Sequence, residues 1–319
     1  QFNVGVDLSL FNNRLRMTAD YYRKKTTDLL NNVEMPRSSG YTTALRNIGS
    51  IRNSGFELQL DGRIIDRAVK WDLGVNFSLN RSKVLVLSED KDIFGGELDN
   101  TILKDQLNLM RVGEPMYVFY GYVEDGYDEN GHIVYKNMDD DPAITAADKT
   151  IIGDPNPDFL VNLTTAVSYK GFTLSAFFQS SIGNDIYSLS MAAQAYDYGY
   201  NGNTLREVYY NHWTLENPTA KYPNLDQTSY KMSDRFVYDG SFVRLKNLEL
   251  AYDVPCARNK FIKRARVYVS AQNLFTITSY PFWDPDINAN GGGSSMIQGV
   301  DSYCYPSART YTIGCRLTF

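Results

Sequence analysis

Residues 137–148 carry oxygen donors in a spacing that could do metal chemistry. In Asn137-Met-Asp-Asp-Asp-Pro-Ala-Ile-Thr-Ala-Ala-Asp148, side-chain oxygens fall at loop positions 1, 3, 5, 9 and 12, with apolar Ile144 at 8. The donors are Asn137, Asp139, Asp141, Thr145 and Asp148. That spacing is how a calcium loop wraps hard oxygen ligands around one ion. Pro142 stands where such loops place the glycine of their sharp turn, and Asp148 is shorter than the usual bidentate glutamate. A solvated acidic loop, or one paired with Arg or Lys, is the other reading of the same residues.

Little else in the chain has the spacing of a reactive centre. The histidines, His132 and His212, stand far apart, and the three cysteines (Cys256, Cys304, Cys315) are odd in number and lack metal-ligand spacing. Asp284 and Asp286 are neighbours in sequence, but two carboxylates define a glycosidase only across a cleft. With no nucleophile–base arrangement and no glycine-rich phosphate loop, the chain does not read as an enzyme. Aromatics are the more telling chemistry, at 13% of residues, with 24 tyrosines against 3 tryptophans. Tyr196, Tyr198, Tyr200, Trp213, Phe282 and Trp283 could stack on sugar rings or dock a protein lid. Ordinary loop packing is the alternative for each.

The elements that must position these residues read as β-strands. In Thr310–Phe319, Tyr311, Ile313, Cys315, Leu317 and Phe319 share one face, while Thr312, Gly314, Arg316 and Thr318 share the other. An apolar face opposite one that admits arginine, ending on an aromatic, fits a wall between lipid and a watery lumen. The same alternation runs through 2–10, 15–25, 51–61, 71–80, 159–169, 172–181, 236–253 and 265–276, with a slip near Lys246-Asn247 that suggests a bulge. Asn12-Asn13 and Lys170-Gly171 make tight turns, and 26–49 reads as a long polar connection.

Connections between these strands alternate short and long. The largest excursions fall at about 82–157, 183–235 and 277–306, and the rhythm requires 112–124 to belong to an excursion, not to the wall. Outer-membrane barrels show this rhythm, with short periplasmic turns and long external loops. The fold class is therefore all-β, the C-terminal part of a large antiparallel transmembrane β-barrel with about nine strands in this chain. A secreted, non-catalytic carbohydrate-binding β-sandwich is the alternative of another class, and a passive porin-like channel is a variant of the first. No apolar run approaches the length of a membrane helix, which leaves β-strands open. With 32 Lys+Arg against 37 Asp+Glu, no nucleic-acid footprint is present. The opening Gln1–Leu8 is already mid-strand, so further barrel strands are expected from sequence upstream.

Several segments resemble SusC/RagA-like TonB-dependent outer-membrane transporters of Bacteroidetes. They include Asp20-Tyr-Tyr-Arg-Lys-Lys-Thr-Thr-Asp-Leu-Leu30, Asn47-Ile-Gly-Ser-Ile-Arg-Asn-Ser-Gly-Phe-Glu57 and Val112-Gly-Glu-Pro-Met-Tyr-Val-Phe-Tyr-Gly-Tyr122. Ile152-Gly-Asp-Pro-Asn-Pro157, Ser241-Phe-Val-Arg-Leu-Lys-Asn247, Ala271-Gln-Asn-Leu-Phe275 and terminal Phe319 follow in order. The resemblance implies a barrel of about 22 strands closed by a plug. It also implies import of oligosaccharides or peptides, a SusD-like surface lipoprotein as external lid, and drive from the TonB complex through an N-terminal part. Plug and TonB-contacting segments are absent from this chain. The 137–148 loop resembles a recurring family segment, Asp-x-Asn-Gly-Asp-Gly-x-Ile, from which Asn137 and Pro142 depart.

Overall fold

The computed structural model describes residues 1–34, 38, 40, 43–87, 91–99, 103–196, 203–256, 261–287 and 297–319. Alternation of apolar and polar residues produces a nine-stranded antiparallel sheet. Its strands are β1 (Phe2–Leu10), β2 (Leu15–Glu34), β3 (Thr43–Asp66), β4 (Val69–Leu87) and β5 (Phe159–Tyr169). They continue with β6 (Phe172–Ile182), β7 (Phe242–Val254), β8 (Arg264–Thr278) and β9 (Thr310–Thr318). Each pairs with the next in sequence, and β1 and β9 are the two edges.

The register joins like faces across the sheet. Leu8, Met17, Leu60, Val75, Leu163 and Phe178 form one continuous apolar row. One residue along, Asp7, Thr18, Gln59, Asn76, Asn162, Gln179, Arg244 and Thr276 form a polar row on the opposite face. The apolar face stays open: Phe172 is 53% exposed and Ile313 85%. No second sheet covers it among the described residues, so the sandwich alternative lacks its defining contact. Aromatics mark both ends of this face. Phe56, Phe77 and Phe159 stand in line, with centroids 6.3 Å and 5.8 Å apart, while Phe172 and Tyr252 meet at 4.5 Å at the other end. From Phe159 to Tyr169 is about 33 Å at ~3.3 Å per residue. Tilted as barrel strands are, that length matches an apolar band about 25 Å tall.

Three expectations need correction. Residues 26–49 are not a polar connection: β2 and β3 keep pairing from Thr26↔Ile51 to Glu34↔Thr43, forming a tall hairpin. The expected strand 236–253 is two elements, because Gly240 breaks it and Val237–Asp239 pairs with Asp185–Ser188 instead. The excursions start later than expected, since β4 runs to Leu87 and β8 to Thr278. The bulge lies where the alternation slips, between Leu245 and Asn247. Val118–Gly121, in the expected 112–124 excursion, joins a four-stranded sheet apart from the wall.

The three excursions fold into one body with its own core. Phe119 and Tyr135 come from the first, Tyr187, Ala192, Tyr196, Val208 and Phe236 from the second, and Val300 from the third. Short sheets hold it together, among them Asp185–Ser188 between Val237–Asp239 and Val300–Asp301. The compact hydrophobic core of this molecule therefore sits in its loops, not in its wall. Among the described residues no helix is long and apolar enough to cross a membrane.

Candidate functional site

The polar face of the wall, with the body seated over one end of it, is the candidate site. Period-two alternation places Asp7, Thr18, Tyr22, Gln59, Asp61 and Asn80 on this face, where they satisfy one another. Thr18 Oγ1 donates to Asp7 (2.7 Å), Gln59 Nε2 to Asp61 (2.6 Å) and the Tyr22 hydroxyl to Asn80 (3.0 Å). Tyr22 lies so flat on β3 that a Cβ at Gly55 would stand 2.5 Å from its ring. Near the short turns, Arg14, Arg16, Arg63, Asp61, Asp66 and Asp72 line a cavity of about 490 Å³.

Two joints fix the body to this face. At the first, Ser82 Oγ accepts the Met116 N–H (3.1 Å), and Val84 is buried with Leu87 and Met110 against Ile51, Met116 and Tyr117. At the second, Arg244 of β7 is the largest fully buried side chain. Its guanidinium pairs with Asp284, reaches Asp286 at 3.4 Å and donates to Thr276 Oγ1 (2.9 Å) and Ser307 Oγ (3.3 Å). Asp284 also accepts the N–H groups of Asp286 and Ser307, each at 2.9 Å. These hydrogen bonds and the guanidinium outweigh burial and hold its carboxyl below the usual carboxylate range. The clamp presses the loop onto the wall, leaving a cavity of about 230 Å³ between Asn162 and Gln179 below and Pro285, Asp286 and Ile287 above.

Inside the body, Glu124 accepts from Arg235 Nε (2.8 Å) and Ser233 Oγ (2.6 Å), joining the first two excursions. Tyr122 is flanked by Lys149 and Lys231, whose Nζ atoms lie 5.5 Å and 4.9 Å from the ring centroid. Lys149 also pairs with Asp105 (2.6 Å).

The oxygen donors of 137–148 do form one wound loop. Asn137, Asp139 and Asp141 accept from the N–H two residues on, at 3.1, 2.8 and 3.0 Å. The buried Asp148 closes the loop by accepting from Met138 and Thr145, each at 2.7 Å. Thr145 Oγ1 completes a capping box by accepting from Ala147 (3.2 Å). Hydrogen bonds from Met138, then Thr145, hold the Asp148 carboxyl below its usual range. Among the described residues, no three acidic, His or Cys side chains converge as a metal site. An ion would have to draw the exposed Asp139 and Asp141 inward.

The expected contact aromatics separate. Tyr196 is buried, stacked on Tyr230 at 3.7 Å and edge-on to Phe236. Trp213 is buried too: a Cβ at Gly131 would lie 2.2 Å from its indole, and Gly131 has φ +77°, so glycine suits the position twice over. Tyr198 and Tyr200 lie outside the described residues. Phe282 and Trp283 stack at 4.8 Å, with Phe282 half-buried and Trp283 exposed. Phe282 lines an open cavity of about 490 Å³ with Met191, Leu205, Glu207, Lys221 and Tyr238. Arg244, Glu124 and Arg235 were not singled out from sequence as site residues. In the sequence Arg244 stands only within the 241–247 segment, because Asp284 lies forty positions away with no period linking them.

A sheet with an open apolar face, aromatic ends and a roofed polar face defines an outer-membrane β-barrel wall. The family model described as TonB dependent receptor-like, beta-barrel, matches residues 1–274, and the chain belongs to that family. It is 33% identical to TonB-dependent receptor P3 of Formosa agariphila, over 100% of this chain and 34% of that protein. It is 29% identical to TonB-dependent receptor SusC of Bacteroides thetaiotaomicron, over 100% of this chain and 31% of that protein. The structure of the RagAB peptide transporter superposes with TM-score 0.82 at 28% identity, over 100% of this chain and 34% of that one. The chain thus spans about a third of the length of the relatives it matches.

Proposed function

We propose that this chain is the C-terminal wall and external roof of an active importer for oligosaccharides or peptides in the bacterial outer membrane. Strands from upstream sequence pair with the free edges of β1 and β9 to complete a barrel of about 22 strands around a plug. An open edge in hydrocarbon would leave unsatisfied backbone groups at several kcal/mol each. TonB acts through the N-terminal part. The three excursions face outward, where Trp283 and the Phe282 cavity offer surface to a SusD-like lipoprotein or to substrate. The observation that carries this reading is the body clamped by Arg244 and Ser82 over the polar face, in a chain of this family.

The same reading proposes calcium for the 137–148 loop, supported by its donor spacing and wound backbone, with Asp139 and Asp141 turning inward when the ion binds. Calorimetry on the full-length protein should show calcium heat that the joint Asp139→Asn, Asp141→Asn and Asp148→Asn variant loses; equal heats would leave a self-capped acidic loop. For import, the test is substrate uptake by cells lacking TonB coupling, with barrel abundance held constant. Uptake should fall to background. Undiminished uptake would instead mark a passive porin-like channel.

A further inference from the structure

The outer face of β2–β4 carries a feature that import does not use. Above the apolar row Ala19–Leu58–Phe77 and the row Tyr21–Phe56–Leu79, the next rows on the same face are Arg23–Ser54–Arg81 and Lys25–Arg52–Lys83. Five cations thus occupy one face of three adjacent strands, at the end nearer the excursions. Only Arg81 has an acidic partner among the described residues, Asp158 at 2.6 Å. Lys25, Arg52 and Lys83 stand directly opposite one another in register. Side chains so placed have Cβ atoms ~4.5–5.5 Å apart, and like charges there are destabilising. Asp20, Glu57, Asp61 and Asp72 of these strands alternate onto the other face.

We propose that Lys25, Arg52 and Lys83, flanked by Arg23 and Arg81, bind a phosphate-bearing headgroup of an outer-leaflet lipid. The inference rests on the membrane reading above. Acyl chains lie along the apolar rows, the Tyr21–Phe56 level marks the interface, and phosphate meets the cations one step higher. Arg52, central in its row, offers a planar fork to phosphate oxygens, and the two ammonium groups supply charge on either side. The phosphate offsets the repulsion that the register imposes.

The test uses the full-length transporter extracted from the outer membrane, with native mass spectrometry against a phosphorylated acyl-disaccharide glycolipid and its dephosphorylated counterpart. The parent should retain the phosphorylated lipid selectively. The triple variant Lys25→Gln, Arg52→Gln, Lys83→Gln should lose roughly a hundredfold in retention, as expected for three charges at a lipid surface. The charge-preserving Lys25→Arg, Lys83→Arg variant, which keeps Arg52, should retain the lipid, as should Lys24→Gln on the opposite face. Equal retention by the triple glutamine variant, indifference to the lipid phosphate, or equal occupancy by inorganic phosphate alone would each overturn the proposal. If the triple variant does not insert, Arg52→Gln alone is read the same way, with parent-like retention overturning the proposal. Undiminished uptake without TonB coupling, alongside intact lipid selectivity, would count against active import alone. A parent absent from the outer membrane would overturn both readings.

Discussion

On β4, Val75 and Phe77 turn apolar groups outward while Asn76 faces the polar side; in the body, Phe119 and Tyr187 are fully enclosed. The same chain follows two opposite burial rules. In the body, water drives apolar groups together, as in any globular protein. The wall has no such core, and its apolar face is stabilised only by a solvent that is itself apolar. A substitution therefore has no fixed meaning here: the same charge is tolerated or destructive according to region and face.

The joint between the regions should be the most sensitive point. Arg244→Ala leaves Asp284 buried without its cation and should destabilise by about 3–5 kcal/mol, measured by denaturant titration of the full-length protein in lipid vesicles. A loss under 1 kcal/mol would mean that body and wall are held together elsewhere. Next comes the face contrast. Val75→Arg should cost about 2–4 kcal/mol near mid-membrane, and Asn76→Arg clearly less; equal losses on refolding into vesicles would erase the distinction between faces.

A smaller effect should appear in the body at acid pH. The folded Asp148 carboxyl lies below its ordinary 3.8, so its stabilisation is complete above that value and is lost as pH falls through the lower folded value. Protection of the Met138 and Thr145 amides, corrected for intrinsic exchange, should fall in that window and be pH-independent there in Asp148→Asn. The smallest change should be Trp283→Ala, within about 0.5 kcal/mol for an exposed side chain. If Trp283 contacts the lipoprotein or substrate, affinity in the assembled transporter should drop while stability does not.

What could be read beforehand follows from period. Wherever one face is apolar, as in Trp71–Leu79, the strand and its alternation were legible, though not where the strand ends. The tall part of the β2–β3 hairpin was not, because at Lys24–Lys25 and Arg52–Asn53 both faces turn polar and the periodic signal disappears while pairing continues. Gly240 hid a break, since apolar residues such as Val237, Tyr238, Phe242 and Val243 stand close on either side of it. The aromatics divided for a different reason. Tyr196 and Trp283 are equally apolar in sequence, and only long-range partners such as Tyr230 decide which one is enclosed. Arg244 and Asp284 illustrate the same limit for charge.

The body's core draws Phe119, Tyr187 and Val300 from three excursions separated by pairs of wall strands. None of these segments can complete its packing until the others have been delivered to the same side of the bilayer. A hairpin left uninserted would strand one excursion on the wrong side and leave a hole where its side chains belong. The core therefore works as a tally of crossings, reaching full protection only when the passes that carry these three excursions have been made.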